Sequence, residues 1–285
     1  LPLWPAGLLV VVLAHVLSVL AVYQLIRFVG VPAPGSAVGA VVYTLNPSWM
    51  YFNAAFSYES LALPLVLLCL AAAVGAARGA DKPRWRSLAT AMMCGAALPI
   101  IHHLSTIILV LILALLWVSR LVSRMRGKGA GRRAPGRERV WPLVFVWAWL
   151  LAWIHIWWRH NYEWLLNYLG PALSEGYAQL RKILAGGGQS SSGQRSLFGN
   201  SANPVYEIVS GYLFPFVTLA IFTWEVLALW RRRRNLSSTP WAFAIIGAMF
   251  FASMPMLLTA GGAEGAHRSW AYSFIGIAVV CGLAW

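Results

Sequence analysis

Acidic residues are scarce in this chain. Only 8 aspartates and glutamates stand against 22 lysines and arginines in 285 residues, and charged residues of both signs make up 11%. A soluble globular domain carries roughly 25% charge and is about half apolar. This chain is 60% hydrophobic with a mean hydropathy of +0.68, which excludes an ordinary soluble fold. Cysteine is scarce as well. Cys69, Cys94 and Cys281 all fall in apolar segments, so they read as small buried hydrophobes and exclude a disulfide framework or a cysteine metal site. No Walker loop, dinucleotide fingerprint or HExxH is present. No basic stretch precedes the first apolar run, so a cleavable signal peptide is not recognisable.

Long apolar runs are what the chain does have. Residues 8–26, 61–77 and 211–230 approach or reach the ~20 residues needed to cross a bilayer core of about 30 Å. The net charge of +14 would suit nucleic acid, but the basic residues sit in short blocks between apolar segments. That distribution marks positive-inside membrane loops and argues against nucleic acid as a partner. The sequence therefore predicts an all-α, polytopic transmembrane bundle. The chain opens at Leu1 without a methionine and ends at Trp285 inside an apolar run, so it reads as one transmembrane domain cut from a longer protein.

The candidate spans are 3–27, 35–53, 58–77, 87–119, 140–158, 209–230, 240–259 and 271 onward. Three loops are strongly basic: Arg78 to Arg86, Arg120 to Arg139, and Arg231 to Arg234. Each should be cytoplasmic. The first two cannot both be so if residues 87–119 cross once. That run is also too long for one ordinary span, and Pro99 interrupts it. A hairpin of short helices, 87–101 and 104–119, resolves the conflict and puts His102 and His103 at its extracytoplasmic tip. Counting both arms gives about nine membrane segments. Residues 54–60, a long loop over 159–208 and the stretch 261–270 (GGAEGAHRSW) then share the outer side. Within the long loop, 172–184 is a candidate surface helix and 186–193 (GGGQSSSG) a tether or lid.

The stretch Val41 to Leu65, VVYTLNPSWMYFNAAFSYESLALPL, resembles a recurring pattern in multi-spanning GT-C glycosyltransferases. In that pattern a helix ends in Leu-x-Pro, a stretch with aromatics follows, and an acidic residue opens an apolar helix. Leu45 and Pro47 stand at the first positions and Glu59 at the acidic one, where the family more often has aspartate. Gly95 matches a glycine of the next small-residue helix, and His102 and His103 stand where lysine is frequent. The resemblance covers residues 1–120 in segment order and spacing. One departure is serious: the family's usual catalytic acid lies in a first external loop that would precede Leu1.

The resemblance implies a GT-C-like bundle in the cell membrane, and the Ala-, Gly-, Arg- and Trp-rich composition suggests a bacterial source. Such a bundle would transfer a sugar from a polyprenyl-phosphate-linked donor at the extracytoplasmic face. A carboxylate would orient or deprotonate the acceptor hydroxyl, and cationic groups would hold the departing phosphate. Glu59 is then the catalytic candidate, and its alternative is a first-turn acid favoured by the helix dipole. His102, His103, Arg268 and His267 are the phosphate-binding candidates, with Tyr58 and Glu264 in support. The alternatives are interfacial anchoring for the histidines and an i,i+4 pairing of Arg268 with Glu264. No metal ligand set is identified, a divalent metal stays open as cofactor, and the glycan or protein acceptor is unknown. Two other readings compete: a polymerase, ligase or flippase of lipid-linked glycan, and a secondary transporter. The latter predicts paired repeats that the sequence lacks.

Overall fold

In the computed structural model the chain is described over residues 3–51, 58–78, 84–127, 139–184, 205–231, 238–258 and 260–285. The described residues are 94% helical and include no strand. The helices run α1 Leu3–Val29, α2 Ala33–Thr44, α3 Pro47–Tyr51, α4 Tyr58–Ala77, α5 Trp85–Ile101, α6 His103–Gly127, α7 Trp141–Leu184, α8 Val205–Arg231, α9 Thr239–Ala252 and α10 Ala260–Ala284. A 3-10 turn, Met254–Leu258, joins the last two.

Among the described residues six helical stretches are long and apolar enough to cross a membrane: Pro5–Val29, Tyr58–Ala77, His103–Met125, Trp141–Glu163, Leu213–Arg231 and Thr239–Leu257. By length and composition this is a multi-pass membrane protein, with six such helices where the sequence predicts nine segments.

The differences have local causes. The expected span 35–53 is two short helices, of 12 and 5 residues, broken at Leu45 and Asn46. Pro47 has no N–H to continue the ladder, and the Asn46 side chain instead accepts the Ser48 N–H at 2.9 Å. The expected loop from Arg159 is helix as far as Leu184, so α7 runs for 44 residues, about 66 Å at 1.5 Å per residue. Polar residues expected to end it satisfy their own helix, as when Asn161 donates to the Trp157 carbonyl at 2.9 Å. The 172–184 segment is helical but continuous with the span, and the tether 186–193 lies outside the described residues. The expected outer stretch 261–270 forms the first turns of α10.

Two helices make the centre. In α4 the run Cys69 to Ala77 is buried throughout, and its small side chains admit neighbouring helices closely. In α10 every residue from Trp270 to Gly282 is buried. There α9 lies so near that a Cβ built on Gly276 would stand 2.1 Å from the Gly247 nitrogen. By contrast, α8 and the first half of α1 turn large apolar side chains such as Phe216, Trp224 and Leu13 outward, as a lipid-facing surface requires.

Contacts sort the helix ends into two groups. At one end Arg84 lies over the Phe28 ring at 5.7 Å, Trp85 meets Trp141 at 6.2 Å, and the Arg139 N–H donates to the Ala77 carbonyl at 2.8 Å. The residues flanking both basic linkers are therefore neighbours. At the other end, Glu59 of α4 meets His102 and Arg268. Helix α5 thus runs away from the basic end and α6 runs back, as the hairpin reading requires. The reversal is a single residue: His102 is extended, with φ −156° and ψ 98°, three positions after Pro99.

Candidate functional site

Glu59 stands in the first turn of α4, where the helix dipole favours an acid. Arg268 lies in the first half of α10 and places Nη1 2.5 Å from Glu59 Oε1. The two side chains are 25% and 12% exposed, so the pair is largely withdrawn from water. Sequence spacing suggests Glu264 as the partner of Arg268. The ion pair to Glu59 comes instead from a helix more than two hundred residues away, and the side chain of Glu264 lies outside the described residues.

His102 completes the group. Its Nε2 is 3.7 Å from Glu59 Oε1, within ion-pair range but beyond a direct hydrogen bond. Its Nδ1 is 2.5 Å from Ser105 Oγ, and that hydroxyl also meets the Tyr272 hydroxyl. Burial, with His103 and Arg268 beside it, pushes the His102 imidazole down to about 4, so it is neutral at neutral pH. A carboxylate paired to arginine can only accept. The assignment that satisfies the chain has Tyr272 donating to Ser105, Ser105 donating to Nδ1, and Nε2–H turned toward Glu59. Three helices thereby contribute one row of hydrogen-bonding groups.

The row opens onto a cleft of about 180 Å³. Glu59, His102, Arg268 and Tyr272 form its polar side, and Leu104, Ile107, Ile108 and Ala271 form an apolar wall. Its floor is pinned to α2 and α3: the Tyr43 hydroxyl donates to the Ala271 carbonyl at 3.0 Å, and the Ser48 hydroxyl donates to the His267 carbonyl. A ligand with a charged head and an apolar body fits such a lining.

The remaining candidates sit around the cleft. The His103 ring stacks on Trp157 of α7 at 4.5 Å, and its centroid is 6.0 Å from that of His102. The His267 ring packs edge-on against Trp270 at 4.5 Å. Neither lines the cleft. Tyr58 is exposed, with its ring 5.2 Å from that of His102. Ser105 and Tyr272 join the site although sequence reasoning does not select them. Their signals are positional, because Ser105 is one turn beyond His102 and Tyr272 one turn beyond Arg268. Among the described residues no group of three or more His, Cys, Asp or Glu side chains gathers around a common metal position. Comparison with protein-family models, curated proteins and solved structures finds no match to this chain.

Proposed function

We propose that the protein is an integral membrane transferase, of the GT-C glycosyltransferase type, that moves a sugar from a lipid-phosphate-linked donor to an acceptor hydroxyl at the outer membrane face. The observation that carries this reading is the convergence of Glu59, His102 and Arg268 on one cleft at the bundle end opposite the basic linkers. A donor whose tail stays in the bilayer would bring its phosphate to that end, with the aliphatic wall beside it.

In the proposed step Glu59 takes the proton of the acceptor hydroxyl, the acceptor oxygen bonds to the anomeric carbon, and the bond from that carbon to the phosphate oxygen breaks. The lipid phosphate leaves with the electron pair, held by the planar guanidinium of Arg268. Neutral His102 faces Glu59 with Nε2 at 3.7 Å, so it adds a dipole beside the carboxylate and no second full charge.

The test is transfer by the full-length protein in lipid nanodiscs supplied with a radiolabelled polyprenyl-phosphoryl sugar. Release of lipid phosphate is expected from wild type. It should drop on the order of 100-fold or more in Arg268→Ala, whereas Glu163→Gln, an α7 residue that does not line the cleft, should turn over as wild type does. Equal release from wild type and Arg268→Ala would remove the assignment. If wild type moves intact lipid-linked glycan across the bilayer and cleaves no donor, the flippase reading replaces it.

A further inference from the structure

We propose that the basic end of the bundle binds one anionic phospholipid, whose phosphate sits among Arg27, Arg78 and Arg84 where α1 closes. The three side chains come from different elements and meet over one short turn. Arg27 stands in the last turn of α1, and its Nη1 donates to the Val31 carbonyl at 2.7 Å. Arg78 directly follows α4 and donates through Nη1 to the Arg27 carbonyl. Its Nη2 would stand 3.8 Å from a Cβ built on Gly30, the residue whose left-handed backbone (φ 111°) ends α1. Arg84, just before α5, sets its guanidinium 5.7 Å from the centre of the Phe28 ring.

The last carbonyls of α1 and the negative end of its dipole explain why arginines gather there. They do not exhaust what the arginines offer. Each guanidinium has five N–H donors, and the backbone takes one from Arg27 and one from Arg78. All three residues are exposed, and among the described residues no carboxylate pairs with any of them. Three like charges around one turn repel one another. A phosphate diester answers both the charge and the planar forks.

Depth selects a lipid as the source of that phosphate. The spans Pro5–Val29 and Tyr58–Ala77 end within two residues of Arg27 and Arg78, so the guanidiniums lie where hydrocarbon gives way to headgroups. Trp85 and Trp141, both exposed and 6.2 Å apart, flank the same end, as tryptophans do at a membrane interface. Below Arg27 the exposed residues Gln24, Leu20, Leu17 and Leu13 follow one face of α1. That stripe reaches about 20 Å from the arginine and offers a track for acyl chains. A soluble anion would have no use for it.

Native mass spectrometry of the full-length protein, released from detergent micelles with added lipid, tests the site. Wild type is expected to retain one dioleoyl phosphatidylglycerol, bound at least about tenfold more tightly than dioleoyl phosphatidylcholine. Arg84→Gln leaves the two backbone bonds at the end of α1 in place and should weaken that lipid about fivefold. Arg78→Gln/Arg84→Gln should weaken it about 25-fold. Arg231→Gln, in the last turn of α8, should bind as wild type does. Equal affinity for the two lipids overturns the proposal, as does unchanged binding in Arg84→Gln. An equal loss in Arg231→Gln overturns it too, because diffuse attraction to any basic surface would then suffice. Displacement of the lipid by glycerol 3-phosphate at the same concentration would mark a soluble-anion site and overturn the choice of a lipid.

Discussion

At the scale of single residues, charge scarcity is what makes the site readable. With so few acids in the chain, one at the mouth of an apolar helix stands out, and so does an arginine placed against the basic asymmetry. Glu59, His102 and Arg268 were legible for that reason. Ser105 and Tyr272 were not, because a serine in an apolar helix ordinarily satisfies itself on the preceding turn, as Ser18 does on the Ala14 carbonyl, and a tyrosine there reads as a packing residue. Only the fold shows that these two meet each other. Removing one member of the ion pair leaves the other poorly solvated, so Arg268→Ala should destabilise the fold by about 2 kcal/mol, below the range for fully buried pairs because the arginine is a quarter exposed. Denaturant titration in mixed micelles reads that loss, and a Glu59→Gln/Arg268→Ala double variant should recover part of it. His102 gives a pH signature. Its folded value of about 4 lies below its ordinary 6.5, so between those limits the unfolded chain binds more protons. Its contribution is complete above about pH 6.5 and is lost as pH falls toward 4. The melting temperature should drop over that window in wild type, and drop less in His102→Gln.

At the scale of elements, charge and Pro99 were informative, whereas breakers that the helices override were misleading. Pro99 between two basic blocks pointed to a reversal, and the chain reverses at His102, three residues later. Residues 159–184 look like a loop because they are polar and aromatic and hold Gly170 and Pro171, yet α7 runs through them, with side chains such as Asn161 bonding back to the helix. The opening turns of α10 misled in the same way: glycines and charges suggested a loop, but Arg268 and Tyr272 have partners in α4 and α6 that hold the segment as helix. Close approach was invisible in sequence, since a glycine in a membrane helix does not announce which neighbour it admits. Gly276→Ala tests the tightest one. Its Cβ would fall 2.1 Å from the Gly247 nitrogen and 2.3 Å from the Phe243 carbonyl oxygen, both backbone atoms that cannot swing away. Helices α9 and α10 would have to separate, at a cost of about 3 kcal/mol. The variant should lose thermal stability and shift Tyr272 relative to Ser105.

At the scale of the whole molecule, one end of the bundle gathers the flanks of the basic linkers and the other gathers the titratable groups. Everything proposed for Glu59, His102 and Arg268 depends on that division, because a single crossing by residues 85–127 would put the two linkers on opposite sides. Membrane-impermeant maleimide labelling measures it directly. The background is a chain with Cys69, Cys94 and Cys281 replaced by alanine, carrying one new cysteine at a time in the first basic linker (Asp81→Cys), the second (Gly129→Cys) or the stretch before α4 (Ser57→Cys). In inside-out vesicles the first two should label and the third should not, with the pattern reversed in right-side-out vesicles. Labelling of Asp81→Cys and Gly129→Cys from opposite sides would contradict the account.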